Sequence, residues 1–142
     1  MKRMALLPLA WAVLAGAAHD EQKLALDLQG LRSAKGQVLV CVTRRAEHFP
    51  DCGKDPDKRH FKLKPVAGPV DLTMVPPGDY AVSVVHDENG NGRLDTFMGI
   101  PREGVGFSRN PTLRVGAPSF KSVRFTIVGV ADTQMIRLKY FL

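Results

Sequence analysis

The chain has 142 residues, with 20 Lys and Arg against 14 Asp and Glu, a formal charge of +6 and a hydrophobic share of 44%. That length fits one domain with one packed core. The basic residues Arg44, Arg45, Lys54, Lys58, Arg59, Lys62 and Lys64 are interleaved with Asp51, Asp55 and Asp57. Mixed charge of this kind is a solvated face, which excludes nucleic acid as the organising partner.

Residues 1–18 read as a secretory signal peptide. Met1-Lys2-Arg3 is a positive start, residues 4–13 are apolar except for Pro8, and Ala15-Gly16-Ala17 offers small side chains for cleavage. The apolar run is too short for a membrane span, so no transmembrane span is expected in the mature chain. Residues 19–142 then form a single exported domain, periplasmic or extracellular, with a charge of about +4 once Lys2 and Arg3 are removed. Cys41 and Cys52 both lie in the exported part. A cysteine pair in an oxidising compartment predicts a disulfide, and closing a loop of about a dozen residues is worth roughly 3 kcal/mol.

In chain order, residues 23–28 alternate, with Leu24, Leu26 and Leu28 on one face, and predict a half-buried strand. Residues 37–43 (QVLVCVT) are apolar on both faces and predict a central strand. Residues 44–59 are polar, with Pro50, Gly53 and Pro56, and predict a long loop pinned by the disulfide and plugged by Phe49. Residues 60–64 predict a strand with Phe61 and Leu63 inward. Another follows with Val70, Leu72 and Met74 inward, until Pro76-Pro77-Gly78 stops it. Residues 79–85 predict a second central strand, with Tyr80, Val82 and Val84 on one face. Residues 96–120 lack periodicity and are rich in Gly and Pro, yet Phe97, Ile100, Phe107 and Leu113 predict that the segment folds back on the domain. Residues 121–128 predict a strand with Val123, Phe125 and Ile127 inward. Residues 133–140 predict a last one, with Gln134, Ile136, Leu138 and Tyr140 sharing a face. About seven strands and no helix make an all-β antiparallel sandwich, immunoglobulin-like or transthyretin-like.

The chemistry concentrates between residues 86 and 95. Asp87, Asn89 and Asn91 alternate, Gly92 follows, and Asp95 stands three residues further on. In a tightly curled segment such spacing points short oxygen-bearing side chains at one centre, with the Arg93 carbonyl as a further ligand. This predicts a calcium loop. It departs from a helix-loop-helix hand because the twelfth position is Met98 rather than Glu, so Glu103 is the nearest candidate for an outer ligand. With two charged ligands inside the loop, affinity should be weak, on the order of 10⁻⁴ to 10⁻³ M. The competing reading is a bare Asn-Gly turn.

Several stretches together resemble the bacterial domain-of-unknown-function family 2141: residues 31–38, Phe49-Pro50, residues 76–82, residues 86–95 and residues 99–108. The resemblance implies an exported β-sandwich with no assigned activity. The cysteine pair is a local addition to that pattern.

Other chemistries have less behind them. The serines occupy no nucleophile-elbow context, and His86 and Asp87, consecutive in a strand, face opposite ways. A polar-loop hydrolase would have to use Asp87, Glu88, Asp95 or Glu103. A copper carrier would use His19 at a mature terminus with His86 and Asp87. Arg102 and Arg109 could recognise an anion or pair with the acidic loop. The reading carried forward is a non-catalytic binding or structural module, with calcium as cofactor and a protein or envelope component as partner.

Overall fold

A computed structural model describes residues 20–57 and 59–142; the signal segment and His19 lie outside the described residues. The chain runs through β1 (Gln22–Gln29), β2 (Gln37–Thr43), β3 (Arg59–Leu63), β4 (Gly68–Val75) and β5 (Gly78–Asp87). Then come β6 (Thr96–Phe97), β7 (Ile100–Pro101), β8 (Gly104–Phe107), the single turn α1 (Phe120–Val123), β9 (Phe125–Ile127) and β10 (Asp132–Arg137). The molecule is an all-β sandwich. One sheet has the order β10-β1-β4 and the other β3-β2-β5-β8, with β9 paired to the start of β5; β6 and β7 form a separate hairpin.

The alternation of the sequence explains the layers. Leu24, Leu26 and Leu28 from β1 meet Val38, Val40 and Val42 from β2 and Tyr80, Val82 and Val84 from β5 in one core. Each fully buried Val or Leu contributes roughly 1.5–3 kcal/mol. β2 is central, flanked by β3 and β5. The other face of β5, with β8, carries a second cluster in which Ala81, Val105, Phe107 and Val123 pack with Phe49, Val85, Leu113 and Phe120. Phe49 is the expected plug, edge-on to Phe107 at 5.9 Å and to Phe120 at 6.1 Å. Cys41 and Cys52 are bonded, with Cα atoms 5.7 Å apart.

Four local expectations are corrected. Met74 is exposed and Val75 is buried, because a register shift opposite Leu24 and Ala25 flips the alternation of β4. Residues 121–128 are not one strand: Ser119 caps the turn α1 by accepting from the Ser122 amide before β9 begins. Residues 96–120, expected to lack regular structure, contain β8, a fully buried strand of the larger sheet. Its glycines mark close packing rather than a turn, since a Cβ on Gly104 would lie 2.5 Å from the Tyr140 ring and one on Gly106 2.7 Å from Ile136. Finally, β10 runs parallel to β1, while the other pairings are antiparallel.

Candidate metal loop

β5 ends with two buried residues, His86 and Asp87, and the chain leaves the sheet immediately after them. Asp87 is the hub of the turn. Its Oδ1 accepts from the Asn91 amide at 3.1 Å; its Oδ2 accepts from the Gly92 amide at 2.8 Å and from Gln37 Nε2 at 2.7 Å. Burial pushes this carboxyl up, but the hydrogen bonds from Gln37 and the amides of Gly92, Asn91 and Gly90 prevail and hold it below its ordinary range. An ionised carboxylate is thereby fixed at the end of a rigid strand.

The next ligand candidates curl over it. Asn89 Oδ1 accepts from the Asn91 amide at 3.2 Å, and Asn91 Oδ1 accepts from the Arg93 amide at 3.1 Å. These side-chain turns are what short Asx residues do when the backbone bends. Both amide groups then reach Asp95: Asn89 Nδ2 donates to it at 2.6 Å and Asn91 Nδ2 at 2.8 Å. Those two hydrogen bonds hold the Asp95 carboxyl below its usual range.

Glu103, just before β8, reaches the loop from beneath. Its two oxygens accept from the Glu88 and Asp95 amides, each at 3.1 Å, so it ties the two ends of the loop together. Burial pushes its carboxyl up, and the nearby charges of Asp87 and Asp95 push the same way. Three carboxylates thus border the same loop, near enough for their charges to act on Glu103, although their oxygens do not all come within 4.8 Å of one another. The Arg93 guanidinium is exposed, 3.6 Å from Asp95.

Five of the six candidate residues, Asn89, Asn91, Arg93, Asp95 and Glu103, line an open cleft of about 690 Å³ bordered also by Arg32, Lys35, Glu88, Thr96 and Arg102, while Asp87 is buried and does not line it. The sequence did not point to Arg32. Its guanidinium holds Glu88 through Nε at 2.8 Å and Nη2 at 2.6 Å, lies over the Tyr140 ring at 4.3 Å and donates to the Leu142 carbonyl. Arg32, ahead of the Glu88 hydrogen bonds that hold it below its range, is the main reason that carboxyl stays ionised. Fifty-six residues separate the pair, and no local pattern announces it. Gly36 lets the β1–β2 connection press on the loop, since a Cβ there would collide with the Asp87 carbonyl.

The residues invoked for rival chemistries are engaged elsewhere. His86 Nε2 faces the Lys35 carbonyl at 2.8 Å and therefore donates; Nδ1 sits 2.7 Å from the Tyr140 hydroxyl. Neither ring nitrogen is left for copper. Neither Arg102 nor Arg109 forms an ion pair with the acidic loop among the described residues; Arg32 and Arg93 do. Ligand atoms of Cys41, Cys52 and His60 lie within 4.8 Å of one another, but the two sulfurs are spent on each other.

A family model described as an uncharacterized protein conserved in bacteria, domain-of-unknown-function family 2141, matches residues 26–135. The chain belongs to that family. No curated protein and no solved structure matches it.

Proposed function

From membership of a family without an assigned activity, and from the loop itself, we propose that this is an exported, non-catalytic binding or structural module whose residues 87–95 form a weak calcium loop. The observation that carries the reading is that the Asn89 and Asn91 side chains both reach the Asp95 carboxylate, while Asp87, at the end of a buried strand, anchors the Asn91 amide of the same turn. Each amide contributes its oxygen to a cation by turning about its terminal bond. The donors are hard oxygens, the chemistry that suits calcium rather than a soft metal.

The two acidic ligands, Asp87 and Asp95, bracket the loop, and Asp95 leads directly into β6. Calcium held there would draw the β6–β7 hairpin and the start of β8 onto the end of β5. Its role would be to order the long segment that follows. A non-catalytic role draws support from the side chains present: Glu88 is paired with Arg32 and Ser33, and His86 has both nitrogens engaged. The disulfide fits an oxidising compartment, and no helix among the described residues is long and apolar enough to cross a membrane.

Limited trypsin digestion tests the reading, because Arg93 and Arg102 flank the hairpin. Millimolar calcium should slow cleavage at both sites in the wild type and leave an Asp87→Ala variant as sensitive as it is in chelator. Equal protection of both proteins would count heavily against a calcium loop.

A further inference from the structure

The β6–β7 hairpin presents its apolar side chains to solvent. Phe97 is 56% exposed, Met98 86% and Ile100 44%, on a two-residue turn beside the candidate metal loop. Met98 and Gly99 both have positive φ, 49° and 78°. Glycine adopts that geometry freely, whereas a bulky residue such as methionine is an outlier there. The domain thus holds a large apolar side chain in an unfavourable conformation at the tip of a hairpin, with no packing within the domain to compensate for it.

The surroundings of the tip are mixed in charge: Arg32, Lys35, Arg93 and Arg102 line the adjoining cleft with Glu88, Asp95 and Glu103. Arg32 and Arg93 are paired with Glu88 and Asp95, whereas Lys35 and Arg102 form no ion pair among the described residues. A calcium ion on Asp87 and Asp95 would leave this end of the molecule clearly positive. Apolar side chains at a tip with basic side chains behind them match the cross-section of a lipid interface, where acyl chains lie beneath anionic headgroups.

We propose that the β6–β7 hairpin is a membrane-docking tip that inserts Phe97, Met98 and Ile100 into the interface of a bilayer rich in anionic phospholipid. Arg93 and Arg102 meet the headgroup phosphates. Calcium on the loop orients the hairpin through Asp95 and strengthens the attraction; this coupling rests on the calcium reading above, whereas the insertion rests on the hairpin. Membrane contact by this device is peripheral and reversible.

Flotation of the mature domain, residues 19–142, with vesicles of equal parts phosphatidylglycerol and phosphatidylcholine, beside pure phosphatidylcholine, tests the proposal. Binding is expected to the anionic vesicles in millimolar calcium and to weaken in chelator. Phe97→Glu/Met98→Glu should lower the partition coefficient by about tenfold or more while the melting temperature in chelator stays unchanged. The sole tryptophan, Trp11, lies in the signal segment, so a Met98→Trp variant of the mature domain carries one reporter at the tip. Its emission should shift to the blue on anionic vesicles and be quenched by brominated acyl chains.

No binding to anionic vesicles, undiminished binding of the double glutamate variant, or a tip tryptophan that stays water-exposed would each overturn the insertion. A vesicle-free dimer dissolved by the same glutamates would overturn it in favour of a second copy. Binding that ignores the chelator would keep the insertion and overturn the calcium coupling. A calcium-dependent rise in melting temperature without vesicle binding would do the reverse.

Discussion

Two long excursions leave the central β2–β5 pair, one after each strand, and they are secured by different means. Residues 44–57 follow β2 and are held by a covalent bond, packing and hydrogen bonds. Cys52 is bonded to Cys41, Phe49 packs against Phe107 and Phe120, and buried Asp55 accepts from Thr43 Oγ1 at 2.5 Å and from the Asp57 amide at 2.9 Å. Residues 88–103 follow β5 and are held by carboxylates: Asp87, Asp95 and Glu103 gather the backbone amides and each other's charge. One loop carries its apolar residue Phe49 inward and the other carries four outward, Leu94, Phe97, Met98 and Ile100. A loop closed by a covalent bond and a plug has no need of a partner. The second loop, with its anionic oxygens and exposed apolar tip, would be completed by the cation and the surface proposed above.

The largest effect should come from the first loop. Cys41→Ser/Cys52→Ser removes the cross-link and is expected to cost about 3 kcal/mol and lower the melting temperature by about 10 °C, equally in calcium and in chelator. A calorimetric loss that depended on calcium would erase the distinction between the loops.

Asp87→Ala comes next. It leaves the Asn91 and Gly92 amides and Gln37 without their acceptor, which should cost about 2–3 kcal/mol in denaturant melts. Unlike the cysteine variant, it should also lose any response to calcium. Asp55→Ala is the matching change in the first loop. It leaves Thr43 and the Asp57 amide unpaired and should cost about 1–2 kcal/mol with the calcium response intact.

Acid gives the smallest and most graded effect. The Asp87 carboxyl lies below its ordinary value of 3.8 in the folded state. Its contribution is therefore complete above that pH and fades as the pH falls through the lower folded value. Glu103 is shifted upward and acts in the opposite direction: its burial costs stability as the pH rises through and above 4.5. As the pH falls below 3.8 the wild type should lose more stability than Asp87→Ala does; parallel losses in thermal melts would mean that Asp87 is not the titrating hub.

Much of the sandwich was legible because residues 23–28 alternate with a period of two, while β2 and β5 are short apolar runs rich in valine and buried on both faces. Legibility failed where a second cause overrode the period. A register shift reversed Met74 and Val75, Ser119 turned the start of a strand into a helical cap, and close contact with Tyr140 and Ile136 required the glycines that made β8 look like a loop. The parallel docking of β10 on β1 joins strands from the two ends of the domain and has no local signature. The candidate site divides along the same line. Asp87, Asn89, Asn91 and Asp95 are near in sequence and their spacing found them. Arg32 and Tyr140, which brace the same region over 108 residues, could only be found in three dimensions.

The contrast between the loops turns on whether the second one binds calcium, and thermal melts of the wild type and Asp95→Ala test that most directly. Asp95 is part-exposed and accepts mainly from two surface amides, so its removal should change the chelator melt little. With millimolar dissociation constants or tighter, about 10 mM calcium should stabilise the wild type by about 1.5–3 kcal/mol and Asp95→Ala hardly at all. A wild-type melt that calcium does not move, or an equal rise in the variant, would contradict the account and leave residues 89–92 as a turn.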